Sequence, residues 1–133
     1  MGTLIDTSVL VAAQRGEIDL SRTAASQPDE PVAIPAICAA GLLHGPYRLS
    51  HAVARSRAEH RVEHVIASFP VIAFDLDMAR VHAQLGAELA EKGTLVGTHD
   101  LLIAATAVWL DYRIATHDLR SFPKIRGLDV VKW

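Results

Sequence analysis

Apolar and polar positions alternate along the chain in blocks of two kinds. Short apolar runs, Thr3-Leu4-Ile5, Val32-Ala33-Ile34, Val71-Ile72-Ala73-Phe74 and Ile114-Ala115-Thr116, are too short for helices and suit buried strands. Longer stretches between them carry helical spacing and helix punctuation. Residues 3–6 read as the first strand, and residues 7–15 as a helix opened by Thr7 or Ser8 and closed by Gly16. Asp19 to about Ala25 reads as a short helix, and Gln27–Pro31 as a polar turn. The strand 32–34 stops at Pro35, and a helix Ile37–Leu43 ends at Gly45-Pro46. A longer amphipathic helix, roughly Arg48–Ser68, is broken by Pro70. The strand 71–74 follows. Asp75 or Asp77 caps a helix running to Lys92, with Gly93 ending it. Asp100 is expected to open an apolar helix Leu101–Leu110, before the fourth strand at 114–116. Leu128–Val131 reads as a fifth strand, at an edge. Strands alternating with helices predict an α/β domain, a mostly parallel sheet of four or five strands with helices on both faces. No repeat or linker divides residues 1–133, which are expected to form one domain.

Composition narrows the class. Half the residues are apolar and only 5 % aromatic, so Ala, Val, Leu and Ile carry the burial. The net charge of -2 gives no global basic field for nucleic acid. The single cysteine, Cys38, excludes an internal disulfide framework and any cysteine-only metal site, and suits a reducing cytosol. No apolar run approaches the roughly 18 residues of a membrane span. The opening run is broken by Asp6 and lacks a basic lead, unlike a signal peptide. A cytoplasmic protein with no membrane contact is expected.

Three acidic residues share one kind of place. Asp6 ends the first strand, Asp118 follows the fourth just after Thr116, and Asp100 stands at the helix start that leads into the fourth. In open α/β sheets ligands bind at the carboxyl ends of the strands. Parallel strands bring Asp6 and Asp118 to one edge, where Asp100 can join them. Each alone also suits a plain capping role. Together they repel one another unless a cation lies between them. Hard oxygen donors without thiolate or obligatory histidine favour Mg²⁺ or Mn²⁺.

The motifs around these residues resemble one family. Leu4-Ile5-Asp6-Thr7-Ser8 resembles the first motif of PIN-domain ribonucleases, in particular the VapC toxins of bacterial toxin–antitoxin pairs. His99-Asp100-Leu101-Leu102-Ile103-Ala104-Ala105 resembles their third motif, and Ala115-Thr116-His117-Asp118-Leu119-Arg120-Ser121-Phe122 their fourth. The resemblance runs through the whole chain in order. It implies a PIN-like three-layer fold and a Mg²⁺-dependent endoribonuclease. Asp6 and Asp100 would ligate metal, and Asp118 would do so directly or through water. It also implies an RNA substrate, a homodimer and a VapB-like antitoxin partner. Thr7, Ser8 and Thr116 beside the carboxylates, with Arg48 and Arg55, are the candidates for contacting RNA.

One motif departs from the family. Its helical glutamate falls in a segment resembling Ala36-Ile37-Cys38-Ala39-Ala40-Gly41-Leu42-Leu43-His44-Gly45, and the matching position here is Gly41. Glycine inside a helix is unfavourable by roughly 0.5–1 kcal/mol relative to alanine. We read Gly41 as a replaced glutamate, by deliberate inactivation or natural divergence; the alternative is close helix packing beside Ala39 and Ala40. A PIN-like protein that only binds an antitoxin, without catalysis, is the rival function.

Other features point less directly to chemistry. Phe74-Asp75-Leu76-Asp77 resembles the aspartate pair of haloacid-dehalogenase-type phosphatases but lies mid-chain without the following glycine and threonine, so it reads as a helix cap. His51, His60, His64 and His82 fall on predicted helices as surface or interface residues, while His99 and His117 precede site aspartates. Residues 44–64 hold Arg48, Arg55, Arg57 and Arg61 against two acids, Glu59 and Glu63, the most basic stretch of the chain. Such a stretch can neutralise phosphates beside an acidic site or form a solvated helix face.

Overall fold

The computed structural model describes residues 1–133. Five strands form one sheet: β1 (Gly2–Ile5), β2 (Val32–Pro35), β3 (Val71–Ile72), β4 (Tyr112–Ala115) and β5 (Val130–Val131). Their order is β3-β2-β1-β4-β5, and every pairing is parallel. Six α-helices connect them: α1 (Thr7–Gln14), α2 (Leu20–Ala25), α3 (Ala36–His44), α4 (Ala52–Ala67), α5 (Leu76–Glu91) and α6 (Thr98–Leu110). No helix is long and apolar enough to cross a membrane.

The first strand lies at the centre because it can be buried throughout. All four residues of β1 are buried, between β2 and β4. Gly2 fits there for a steric reason, since a Cβ at this position would collide with the Tyr112 ring. The core gathers around this strand: Leu4, Ile5, Val9, Leu10, Ile34, Ile103, Ala104, Ile114 and Phe122 belong to one cluster of 20 buried residues. Successive connections run from β1 outward to β2 and β3, then cross back to β4 and β5. The direction reverses between β1 and β4, which places a crevice at their carboxyl ends.

The expected fold class is the observed one, and the sheet is parallel throughout rather than mostly so. Several boundaries move. The helix expected from Arg48 starts at Ala52, because Pro46 directs Gly45–Arg48 into a 3₁₀ turn and His51 caps the helix instead. Asp100 does not open its helix; α6 starts at Thr98 with Gly97 at the N-cap, so Asp100 falls in the first turn. The fourth strand begins at Tyr112, two residues before its apolar run, since Gly2 and Thr3 pair with Tyr112 and Arg113. The third strand shrinks to Val71–Ile72, an exposed edge beside β2.

Candidate metal centre

Asp6 is 6 % exposed, although an aspartate at a helix N-cap is usually solvated. Its backbone does the capping work: Asp6 O accepts from the N–H of Val9 and Leu10 at 3.1 Å each. Its side chain makes no cap bond. It turns instead toward the crevice, where Oδ2 accepts from Ser8 Oγ at 2.8 Å and from Thr116 Oγ1 at 2.8 Å. The capping alternative is thereby excluded for this carboxylate. Hydrogen bonds donated to its charged form offset part of the penalty for burying it.

Thr116 joins the two ends of the sheet's central pair. It is fully buried just beyond β4, and its N–H is fixed by Val131 O at 3.0 Å. While Thr116 Oγ1 donates to Asp6, it accepts from the Asp118 N–H at 2.9 Å. Ser8 Oγ accepts from the His117 N–H at 3.0 Å. The loop after β4 is thus held against the start of α1, and Asp118 follows Asp6 across the crevice. Asp118 Oδ1 accepts from the Arg120 N–H at 2.9 Å. One oxygen of Asp118 therefore does serve its own turn.

Asp100 reaches the same crevice from α6. Its carboxyl is pushed above the ordinary 3.8, first by burial and next by the charge of Asp6, with Asp118 adding to it; Ser121 and His99 pull the other way. Asp100 therefore feels both other carboxylates. His99 reaches across to α3, with Nε2 3.4 Å from Ile37 O. The site concentrates negative charge on hard oxygen donors, a set that suits Mg²⁺ or Mn²⁺. No three His, Cys, Asp or Glu side chains stand close enough to form a ready metal cage.

The departure from the family pattern lies on α3. A Cβ at Gly41 would stand 3.3 Å from Thr7 Cγ2, and only Thr7 lies within 4 Å. Thr7 adjoins Asp6, so position 41 faces the flank of the carboxylate group. No helix packs closely enough here to demand glycine; the Thr7 methyl need only give by a few tenths of an ångström. Thr7 Oγ1 is buried with no partner beyond a weak contact to the Cys38 thiol. Burial pushes that thiol up to about 12, helped by Asp6 and Asp100, so Cys38 is an inert neighbour at neutral pH.

The remaining candidates separate. Arg48 lines a cavity with Gly41. Arg55 is engaged elsewhere, bonded to Glu59 at 3.2 Å with its guanidinium 4.6 Å above the Tyr47 ring. Asp75 caps α5 through Met78 N–H at 3.0 Å and Asp77 pairs with Arg80, as the cap reading of that motif expects. His51, His60 and His64 are exposed, but His82 is half-buried and edge-on to Phe74. Sequence reasoning missed Ser121 as a neighbour of Asp100, although it lies within the fourth motif. It also missed Arg15, which joins Arg48 and Arg61 of the basic stretch around a cavity with Gly41 only through packing.

The raised Asp100 carboxyl has a measurable consequence. A carboxyl raised on folding leaves stability intact below its ordinary 3.8 and lowers it as pH rises through the folded value. Without metal, Asp100→Asn should melt higher than the parent at neutral pH, with the gap closing below about pH 4. Thermal melts across pH in chelator check this. A variant that melts lower at every pH would show that Asp100 is held mainly by favourable contacts.

The PIN domain family matches residues 3–128. The ribonuclease VapC of Rickettsia bellii is 34 % identical over 131 residues, covering 98 % of this chain and 96 % of that protein. Ribonuclease VapC1 of Rickettsia felis is 30 % identical over the same length, with 98 % and 96 % covered. Among solved structures, DNA-bound VapBC from Salmonella typhimurium matches with a TM-score of 0.88 at 27 % identity, covering all of this chain and 98 % of that one.

Proposed function

The chain belongs to the PIN-domain family as a VapC-type member, and from that premise we propose that it is the endoribonuclease toxin of a toxin–antitoxin pair, weakened by Gly41. The observation that carries this reading is the Asp6 carboxylate, buried, released from capping, and held by Ser8 and Thr116 toward Asp118 and Asp100. A capping aspartate would instead turn its side chain to the N–H groups of the first helical turn, which Asp6 does not do.

Asp6 and Asp100 would hold Mg²⁺ or Mn²⁺, with Asp118 directly or through water; Mg²⁺ often needs only one or two carboxylates plus waters. A cation there supplies a more acidic water and a positive charge for a phosphoryl oxygen. The chain's own residues do the positioning. Ser8 and Thr116 fix one oxygen of Asp6 and leave the other free. Thr116 also sets the loop that carries Asp118. Position 41 lies where a further carboxylate would complete the donor set. The likeness to a VapBC assembly supports a VapB-like antitoxin as partner; we read the working form as a homodimer. Exposed Leu43, Tyr47, Leu49 and Val53 supply an apolar face suited to a protein partner. We read residues 1–133 as one domain.

Gly41 favours a second reading, in which the chain binds its antitoxin without cutting RNA. One assay separates the two. RNA is incubated with the Gly41→Glu form in Mg²⁺, in Mn²⁺ and in chelator, and with Asp6→Asn made in that background. Metal-dependent cleavage that vanishes with Asp6→Asn supports the nuclease. A folded Gly41→Glu protein that leaves RNA intact in every condition supports the binding partner.

A further inference from the structure

Three arginines converge on one cavity that shares Gly41 with the flank of the carboxylate site. Arg15 stands at the C-terminal end of α1, Arg48 closes the 3₁₀ turn after α3, and Arg61 projects from α4. All three line a cavity of about 390 Å³ whose wall includes Gly41 and Leu42. The structure's salt bridges engage Arg55, Arg80 and Arg113, leaving these three guanidinium groups without a carboxylate partner. In a chain of net charge -2 with ten arginines, three unpaired ones around one cavity are a local excess that opposes folding unless an anion joins them.

The position of the cavity indicates which anion. Gly41 belongs both to its wall and to the face beside Thr7 and Asp6. Asp6 stands at the N-cap of α1 and Arg15 at its C-cap. They lie roughly 13 Å apart along an axis that rises about 1.5 Å per residue. A strand of RNA with one phosphodiester at the carboxylates can therefore lay a further phosphate on this side. Guanidinium groups suit them, since their forked donors match phosphate oxygens. We propose that Arg15, Arg48 and Arg61 form a phosphate pocket that grips the RNA backbone next to the bond to be cut. This rests on the nuclease reading above and deepens it. It also replaces Arg55 as a candidate RNA contact, because Glu59 and Tyr47 already occupy that side chain.

The test measures binding of a fluorescent single-stranded RNA to the full chain by anisotropy, in chelator so that no cleavage intervenes, at several salt concentrations. Arg15→Gln, Arg48→Gln, Arg61→Gln and the triple variant are compared with Arg22→Gln, which lies outside the cavity. Each pocket variant should bind several-fold more weakly, and the triple variant on the order of 100-fold at low salt. The slope of log affinity against log salt should fall by about 0.7 for each phosphate that is no longer neutralised. Arg22→Gln should match the parent. If the triple variant, still folded by circular dichroism, binds RNA with the parent's affinity and slope, the pocket is overturned.

A second probe separates failure of the pocket from failure of the nuclease reading. Pyrophosphate is titrated while the arginine Nε–Hε signals are followed by NMR. If the parent binds no RNA but pyrophosphate shifts the signals of these three arginines, the anion pocket stands and the RNA reading falls. If neither ligand perturbs them, the pocket falls. If an acidic peptide binds the parent and not the triple variant, while RNA binding is unchanged, the pocket serves a protein partner and the proposal is overturned.

Discussion

Gly41→Glu should raise metal-dependent RNA cleavage by at least about 100-fold, since a reacting group misplaced by about 1 Å loses that much. Position 41 faces Thr7, next to Asp6, and the helix surface there is open, so a longer side chain can extend along the flank of the site. A glutamate adds one negative charge and up to two oxygen donors to a group of aspartates that makes no ready cage. It should also steady α3, because glycine inside a helix is the poorer helix former by about 0.5–1 kcal/mol. Gly41→Ala separates the two effects: it should stabilise the helix about as well and leave cleavage unchanged. Rates on one RNA with Mg²⁺ for the parent and both variants check this. Equal rates for parent and Gly41→Glu would show that the site never needed a fourth carboxylate.

Thr116→Val should destabilise the fold by about 1–3 kcal/mol, the usual penalty for leaving a buried polar group unpaired. Valine fills the same space in a fully buried position, so no cavity forms. What disappears is the hydroxyl that donates to Asp6 Oδ2 and accepts from the Asp118 N–H. Asp6 keeps only Ser8 as a side-chain donor, and the Asp118 amide loses its acceptor. For a chain of this size the melting temperature should fall by roughly 3–12 °C. Thr116→Ser keeps the hydroxyl and should recover most of the loss, apart from a methyl group. A valine variant as stable as the parent would mean that water replaces the hydroxyl without loss.

The elements most legible in the sequence are those set by local pattern. The runs Thr3-Leu4-Ile5 and Val32-Ala33-Ile34 are strands because few apolar residues of that length can be buried any other way. Gly16 and Gly93 end helices because they take positive φ, at 78° and 62°. The start of β4 is less legible, since Tyr112 and Arg113 look like a turn until Gly2 and Thr3 pair with them. Asp100 looks like a helix opener because a carboxylate caps well; Gly97, which has no side chain to announce it, takes that place. At the site, the strand ends point to Asp6 and Asp118 before their partners are known. The hydroxyl between them is visible only as a residue near a motif. The arginine cavity is the least legible, because Arg15 and Arg61 are 46 positions apart and meet only when α1 packs against α4.

The bond from Thr116 to Asp6 spans 110 positions of a 133-residue chain. β1 and β4 are neighbours in the finished sheet but far apart in the chain, so β1 leaves the ribosome well before β4. The nascent protein can lay β2 against β1 early, but it cannot assemble the network around Asp6 until residues 112–118 have emerged. The order of strands along the chain thus ties assembly of the site to the arrival of β4: a nascent chain that stops before Tyr112 holds Asp6 without the hydroxyl that fixes it.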